Sequence, residues 1–342
     1  MHEHTRLVFN QLLGALAKTY GVSDTSKLFA ATPTVEQKLV DKIEESSDFL
    51  KKINVTPVRD MKGEKVIGGV PGHIGKRTDT TANDRVPTDA LQLDSAGYEL
   101  FKTEYDVLLR YTTIDSWSKF PDFKDRFLRY VREAIAASRL TTGWYGESVQ
   151  SVTDIGANPN GEDLHKGWFQ ILREHNAGAQ FLTEGSVGGQ IRLGGAGDYA
   201  NLDDMVNDIK RMLPVQYRNR KDLVAYVGSD LLGEDKAALY KSQGDTPTEK
   251  ERISAAVKEY GGLPAETPDR FPERGLMVTT PRNFSIYYQT GHVRQKIEDN
   301  AKREQVEHYN TLNEAYVLEV EDMAAGVEFK NVRVWNGTDA FE

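Results

Sequence analysis

The chain has 342 residues, more than the ~250–300 that one hydrophobic core supports, so at least two lobes are expected. Its 39% hydrophobic and 28% charged residues are those of a folded chain, and a net charge of −9 is wrong for wrapping nucleic acid, which needs clustered Lys and Arg. The absence of cysteine excludes disulfides, thiolate metal sites and cysteine nucleophiles, and it fits synthesis in the cytosol.

No apolar run approaches the ~18 residues of a membrane-spanning helix. The start "MHEHTRLVFNQLLGALAKTYG" has His and Glu where a signal peptide needs Lys or Arg, so export is not expected. Within it Val8, Leu12, Leu16 and Tyr20 recur every four residues, with Phe9, Leu13 and Ala17 beside them, which predicts an amphipathic helix. Two uses stay open for that helix. It packs on the main body, or it is detachable and binds a partner, since the "KLFAATPTV" behind it reads as a linker.

A second helix is expected over Val35–Leu50, capped by Thr34, with Leu39, Ile43 and Leu50 near one face. Pro57 makes "INVTPV" extended. Residues 58–97 are rich in Gly, Thr, Asp and Pro and hold little that could form a core. Then Phe101, Thr103, Tyr105, Val107, Leu109 and Tyr111 alternate with polar or opposite-facing residues. A strand near "GEKVIGGV" and one at 98–112 predict a long two-stranded hairpin with a polar tip. Such a ribbon is marginal alone in water, and no partner for it is evident in the chain.

"DSWSKFPDFKDRFLRYVREAIAASRLTTG" predicts a long helix with Pro121 in its first turn. Phe123, Phe127, Leu128, Val131 and Ile135 form its apolar stripe, which is a core face rather than a cofactor site. Residues 161–280 mix helices ("LHKGWFQILREH", "LDDMVNDIKRML") with the strand "LVAYVG", an α/β pattern. After them Phe284, Ile286 and Tyr288 alternate, as do Tyr316, Leu318 and Val320. Val327 and Phe329 continue the β pattern, with a phase shift near Asn331 that reads as a bulge.

Chemistry is hard to find. "EGSVGGQIRLGGAGD" lacks the Lys of a phosphate loop, so Gly194, Gly195 and Gly197 read as turn glycines. "GWYGES" is not a nucleophile elbow. The seven histidines form no metal-binding spacing. The acid pairs Asp203–Asp204 and Glu44–Glu45 read as solvated helix faces, and no cofactor is implied. An arm and a hairpin that cannot bury themselves point to an obligate assembly, in which neighbouring copies stabilise them.

The order of elements, with "EHTRLVFN" at 3–10, "ESSDFL" and "MKGEK" within 45–65 and "RYTTIDSWSKFPDF" at 110–123, resembles the major capsid proteins of tailed phages. "GGAGDYANLDDMV" at 194–206, "NFSIYYQTGHVRQKIEDN" at 283–300 and "YVLEVEDMAAGVE" at 316–328 extend the resemblance over nearly the whole chain. Within that group the chain resembles the P2-like (peduovirus) family. The resemblance implies an α+β chain of the Hong Kong 97 type. Residues 1–30 would be an N-terminal helical segment, cleaved or scaffold-binding, 31–57 an N-arm and 58–110 an extended E-loop. Residues 111–155 and 281–342 would form a P-domain with a long spine helix, and 156–280 an α/β A-domain.

It implies a non-enzymatic shell protein that assembles into hexamers and pentamers in the host bacterial cytoplasm and ends in the virion capsid. Its partners would be further copies of itself, a scaffolding protein, a maturation protease and a portal protein, with DNA packaged non-specifically and no membrane. Maturation cleavage is expected around Lys27, Leu28, Phe29 and Ala30. The interleaved charges Arg294, Lys296, Glu298, Asp299, Lys302, Arg303, Glu304 and Glu307 would lie where capsomers meet, against the plainer reading of a solvated loop. An encapsulin-like compartment shell shares the fold, and a cytosolic α/β enzyme with a cryptic site is the reading from another class.

Overall fold

The computed structural model describes residues 3–20, 23, 25–27, 29–30, 33–69, 75, 77–82, 84–86, 92–117, 120, 122–235, 258–336 and 340–341. Helix α1 (Glu3–Tyr20) lays Phe9 and Leu16 into the core and leaves Leu7 outside, so it packs on the body. Strand β1 (Phe29–Ala30) follows, then α2 (Pro33–Glu44). The second helix is shorter than expected. Thr34 lies inside it rather than capping it, and the chain leaves the helix at Glu44 instead of Leu50. The cause is local: Ser46 Oγ donates to the Ile43 carbonyl at 2.6 Å and Ser47 Oγ accepts from the Phe49 amide at 3.3 Å, bonds that compete with helix. The turns that follow drop Phe49, Leu50 and Ile53 into the core.

Strand β2 (Asn54–Val58) carries Pro57 as expected. Strands β3 (Lys62–Gly69) and β4 (Gln92–Glu99) form a separate two-stranded antiparallel ribbon with Lys62 opposite Glu99. The expected continuous strand 98–112 is therefore broken in three. Its first part is β4. Its middle becomes β5 (Phe101–Glu104) and β6 (Val107–Arg110), and Tyr111 and Thr112 open helix α3 (Tyr111–Trp117). The alternation itself holds, with Thr103, Tyr105 and Leu109 buried and Lys102, Glu104, Asp106, Leu108 and Arg110 exposed. Helix α4 (Phe123–Tyr145) buries Phe127, Val131 and Ile135 as its stripe predicts. Asp122 stands at its N-cap position, and Pro121 and the Phe123 side chain lie outside the described residues.

The rest of the chain runs α5 (Trp168–Glu174), β7 (Phe181–Leu182), β8 (Ile191–Leu193), α6 (Leu202–Met212), α7 (Val215–Arg218) and β9 (Val224–Val227). Then come β10 (Glu259–Tyr260), β11 (Leu263–Glu266), β12 (Leu276–Thr279) and β13 (Phe284–Gln289). Last are β14 (Arg294–Asn300), β15 (Gln305–Leu318), β16 (Ala325–Val327) and β17 (Val332–Val334). The phase shift near Asn331 is a 3-10 turn over Phe329–Asn331, not a bulge. After it β17 turns to a different partner, β8.

Two sheets organise the molecule. In the first, β13 and β14 run in succession along one edge of the 14-residue β15, closing a long hairpin at residues 301–304. The other edge of β15 takes β5 and β6, so a partner for residues 101–110 exists within the chain, contrary to expectation. On the outer side β2 joins β13 in parallel and β1 joins β14 antiparallel. The second sheet runs β10-β11-β9-β12-β16-β7.

Two cores share that second sheet. Val224, Tyr226 and Met277 point into the core under α4, while Ala225, Val227, Leu276 and Val278 point into the core under α6. Burial on both faces explains why "LVAYVG" is an unbroken apolar run rather than an alternating one. Trp144, Trp168, Phe284, Phe271 and Phe49 meet between the sheets, with ring centroids 4.7–5.4 Å from Trp144.

Candidate functional site

Among the described residues no group of His, Asp and Glu is placed to hold a metal, and no helix is long and apolar enough to cross a membrane. The glycines of 194–195 are turn glycines, with φ of +84° and +56°, and a Cβ on Gly195 would meet the Trp335 ring at 2.8 Å. The functional surfaces are therefore read from the arms, the ribbon and the charged hairpin.

Five of the eight interleaved charges lie on strands rather than on a loop. Arg294, Lys296, Glu298 and Asp299 lie on β14, Lys302, Arg303 and Glu304 on the exposed turn, and Glu307 on β15. The antiparallel register sets Glu298 directly opposite Glu307, a like-charge pair that costs stability unless relieved. Lys296 pairs with Glu298. Glu307 accepts from Tyr309 Oη and Gln305 Nε2 at 2.6 Å and from Asn300 Nδ2 at 3.0 Å, and these bonds hold its carboxyl below the usual range. Asp299 accepts from Arg6 Nη1 at 2.5 Å and from Tyr111 Oη; burial and that carboxylate push Tyr111 up to about 12. Thus two of the expected charges are satisfied by each other and one by the N-terminal helix. Lys302, Arg303 and Glu304 face outward at the tip, and Glu304 adopts φ +53° to close it.

The expected cleavage region sits on the same hairpin. Phe29 and Ala30 register with Gln295 and Arg294, and the Ile297 amide donates to the Thr25 carbonyl at 2.9 Å. Lys27 is exposed; Leu28 lies outside the described residues.

The base of the β3–β4 ribbon is fixed by a contact the sequence did not disclose. Lys65, 7% exposed, reaches Glu321 Oε1 at 2.8 Å and donates to the Leu318 carbonyl. Glu321 and Asp322 also face His175, whose Nδ1 and Nε2 lie 3.3 and 2.8 Å from their carboxylates. Tyr98 and Tyr287 pack edge to face at 5.1 Å beside it. "GEKV" gives no hint of a buried lysine, because its partner is more than 250 positions away.

Beneath the hairpin, Arg139 Nε donates to Glu314 Oε2 at 3.0 Å, with side chains 1% and 0% exposed, and Tyr105 donates to the same carboxylate. Glu44 is not the solvated acid expected. Its half-burial, with Asp41 beside it, raises its carboxyl to about 7. Asp203 and Asp204 do stay exposed at the start of α6, where Asn201 Oδ1 accepts from the Asp204 amide.

A family model described as "Phage major capsid protein, P2 family" matches residues 8–330. The capsid proteins of Escherichia phage P2 are 35% identical over 98% of this chain and 96% of theirs. The major capsid protein of Serratia phage KSP20 is 28% identical over 93% and 94%. Among solved structures, a chain of the satellite phage P4 procapsid that includes the size determination (Sid) protein superposes with a TM-score of 0.78. It shares 31% identity and covers 98% of this chain and 99% of that one. With the ribbon, the long α4 and the two sheets in place, the chain belongs to the P2 family of phage major capsid proteins and has the Hong Kong 97-type fold.

Proposed function

We propose that this capsid protein tiles an icosahedral tailed-phage head as hexamers and pentamers around double-stranded DNA, which it meets only non-specifically. The observation that carries the reading is the β3–β4 ribbon, a two-stranded sheet that shares no strand with either large sheet. A ribbon of two strands is marginal by itself and gains stability by lying on a neighbouring copy. In this reading residues 31–57 are the N-arm, 58–110 the E-loop, 111–155 with 281–342 the P-domain and 156–280 the A-domain. The chain acts through mutual fit and performs no catalysis. Scaffolding protein, maturation protease and portal protein are its other partners, and assembly takes place in the host bacterial cytoplasm before the protein enters the virion capsid. Membership of a capsid family weighs against a cryptic enzyme.

Expression of the full chain with its scaffolding partner, followed by size-exclusion chromatography and electron microscopy, tests this. Closed shells or capsomers are expected; a compact monomer that binds a small ligand saturably would refute it. Residues 1–30 are proposed to be removed within 27–30 during maturation. Intact mass of protein from mature virions should lack them, and a mature chain that still begins at Met1 or His2 would end that part of the proposal.

A further inference from the structure

Helix α1 and strand β1 are held on the body of their own chain by three different means. Phe9 and Leu16 enter the core. Arg6 pairs with Asp299. The β1 backbone registers with β14. Leu16 also lines a cavity of about 380 Å³, together with Val35 and Leu39 of α2, Val131 and Ile135 of α4 and, at the hairpin, His308. His308 lies on β15 opposite Ile297, 5% exposed, its ring stacked on Phe127 at 6.2 Å. Among the described residues neither ring nitrogen has a hydrogen-bond partner. The other charged groups along the cavity are Lys38, Asp41, Lys42 and Glu45 of α2 and Arg132 of α4. No anion among them bonds the imidazole, so among the described residues no hydrogen-bonded carboxylate compensates a proton there.

We propose that α1 and β1 form a strap whose release is coupled to protonation of His308. The charged imidazole needs water, and Leu16 of α1 walls one side of the cavity beside it, so lifting the helix widens the path by which water reaches the ring. Burial lowers His308 from its ordinary 6.5 to about 4. A depressed histidine favours the closed state fully above the open-state value and loses that advantage as pH falls through the window from 6.5 to 4. With these two values the open state gains about 20-fold in relative population at pH 5 over pH 7, and somewhat more over pH 7.5. The device operates on the uncut chain and does not depend on shell geometry.

Hydrogen exchange by mass spectrometry on the full-length, uncut chain at pH 7.5 and 5.0, corrected for intrinsic rates, tests it. Protection of α1 peptides should fall by about 30-fold at the lower pH, while α6 peptides keep theirs. In His308→Leu the α1 protection should be the same at both pH values, and in Asp299→Asn the pH dependence should persist. Should His308→Leu not fold, His308→Gln gives the same readout. Equal protection of the wild-type strap at both pH values, or an unchanged pH dependence in the His308 variant, would overturn the proposal.

Discussion

Gly143 sits in the last turns of α4, where helix propensity alone favours alanine by about 1 kcal/mol. Packing reverses the sign. A Cβ there would lie 2.5 Å from Cζ3 of Trp168, a fully buried ring wedged against Trp144 and Phe284. Overpacking of this kind costs about 1–3 kcal/mol, so Gly143→Ala should lower the melting temperature of the purified chain despite its better propensity. A stabilised variant would mean that Trp168 repacks freely. The Arg139–Glu314 pair belongs to the same scale. Both partners are buried, so its net contribution is small, but removing one alone strands the other. In the sequence Trp144 falls in "GWYGES" and Trp168 in "LHKGWFQILREH", with nothing to pair them. Their meeting depends on α5 returning across α4, which no local pattern encodes.

At the level of elements, the β3–β4 ribbon is the clearest case of structure without self-sufficiency. Its base is tied down by Lys65 and Tyr98, and among the described residues its two strands pair in a ladder only with each other. Deleting residues 72–92 should therefore leave a soluble body with native circular dichroism that forms no closed shells, and wild-type particle yield from the deletion would refute the ribbon's role. The apolar patterns of α1, α4, α6, β9 and β13, periodic or unbroken, were legible because each buries a face or both faces. The breaks were not. The end of α2 turned on two serine hydroxyls, and the division of 92–110 into three strands turned on pairing with residues 305–314. The same distance hid the site: residues 294–307 were legible only as interleaved charges, and nothing local showed that His308 would turn inward or that Leu16 of α1 would line the cavity beside it. The stretch 236–257, like most of the ribbon's tip, lies outside the described residues.

On the scale of the whole molecule, the 294–307 hairpin projects its charges from the first sheet while Lys296, Glu298 and Asp299 find partners within the chain. That leaves Lys302 and Arg303, exposed on the turn, as the residues to test for contact between capsomers. Exposed ion pairs contribute only ~0–1 kcal/mol each, yet a symmetric shell repeats them many times. Reversing both to Glu should leave the unfolding of the single chain nearly unchanged and make assembled shells less tolerant of salt, read by light scattering. Equal tolerance in both proteins would return the turn to a solvated tip.

The register that joins Asn54 to Ser285 and Ala30 to Arg294 has a consequence in time. Both arm strands are synthesised early and must wait for partners near the C-terminus. Pairings this distant in sequence are slow to form, because loop closure precedes any reward. During synthesis at about 5–20 residues per second, β1 and β2 spend tens of seconds with open edges. In that interval a nascent chain offers unpaired strands to its neighbours on the same message, so premature strand exchange between copies is the hazard this topology carries before any shell exists.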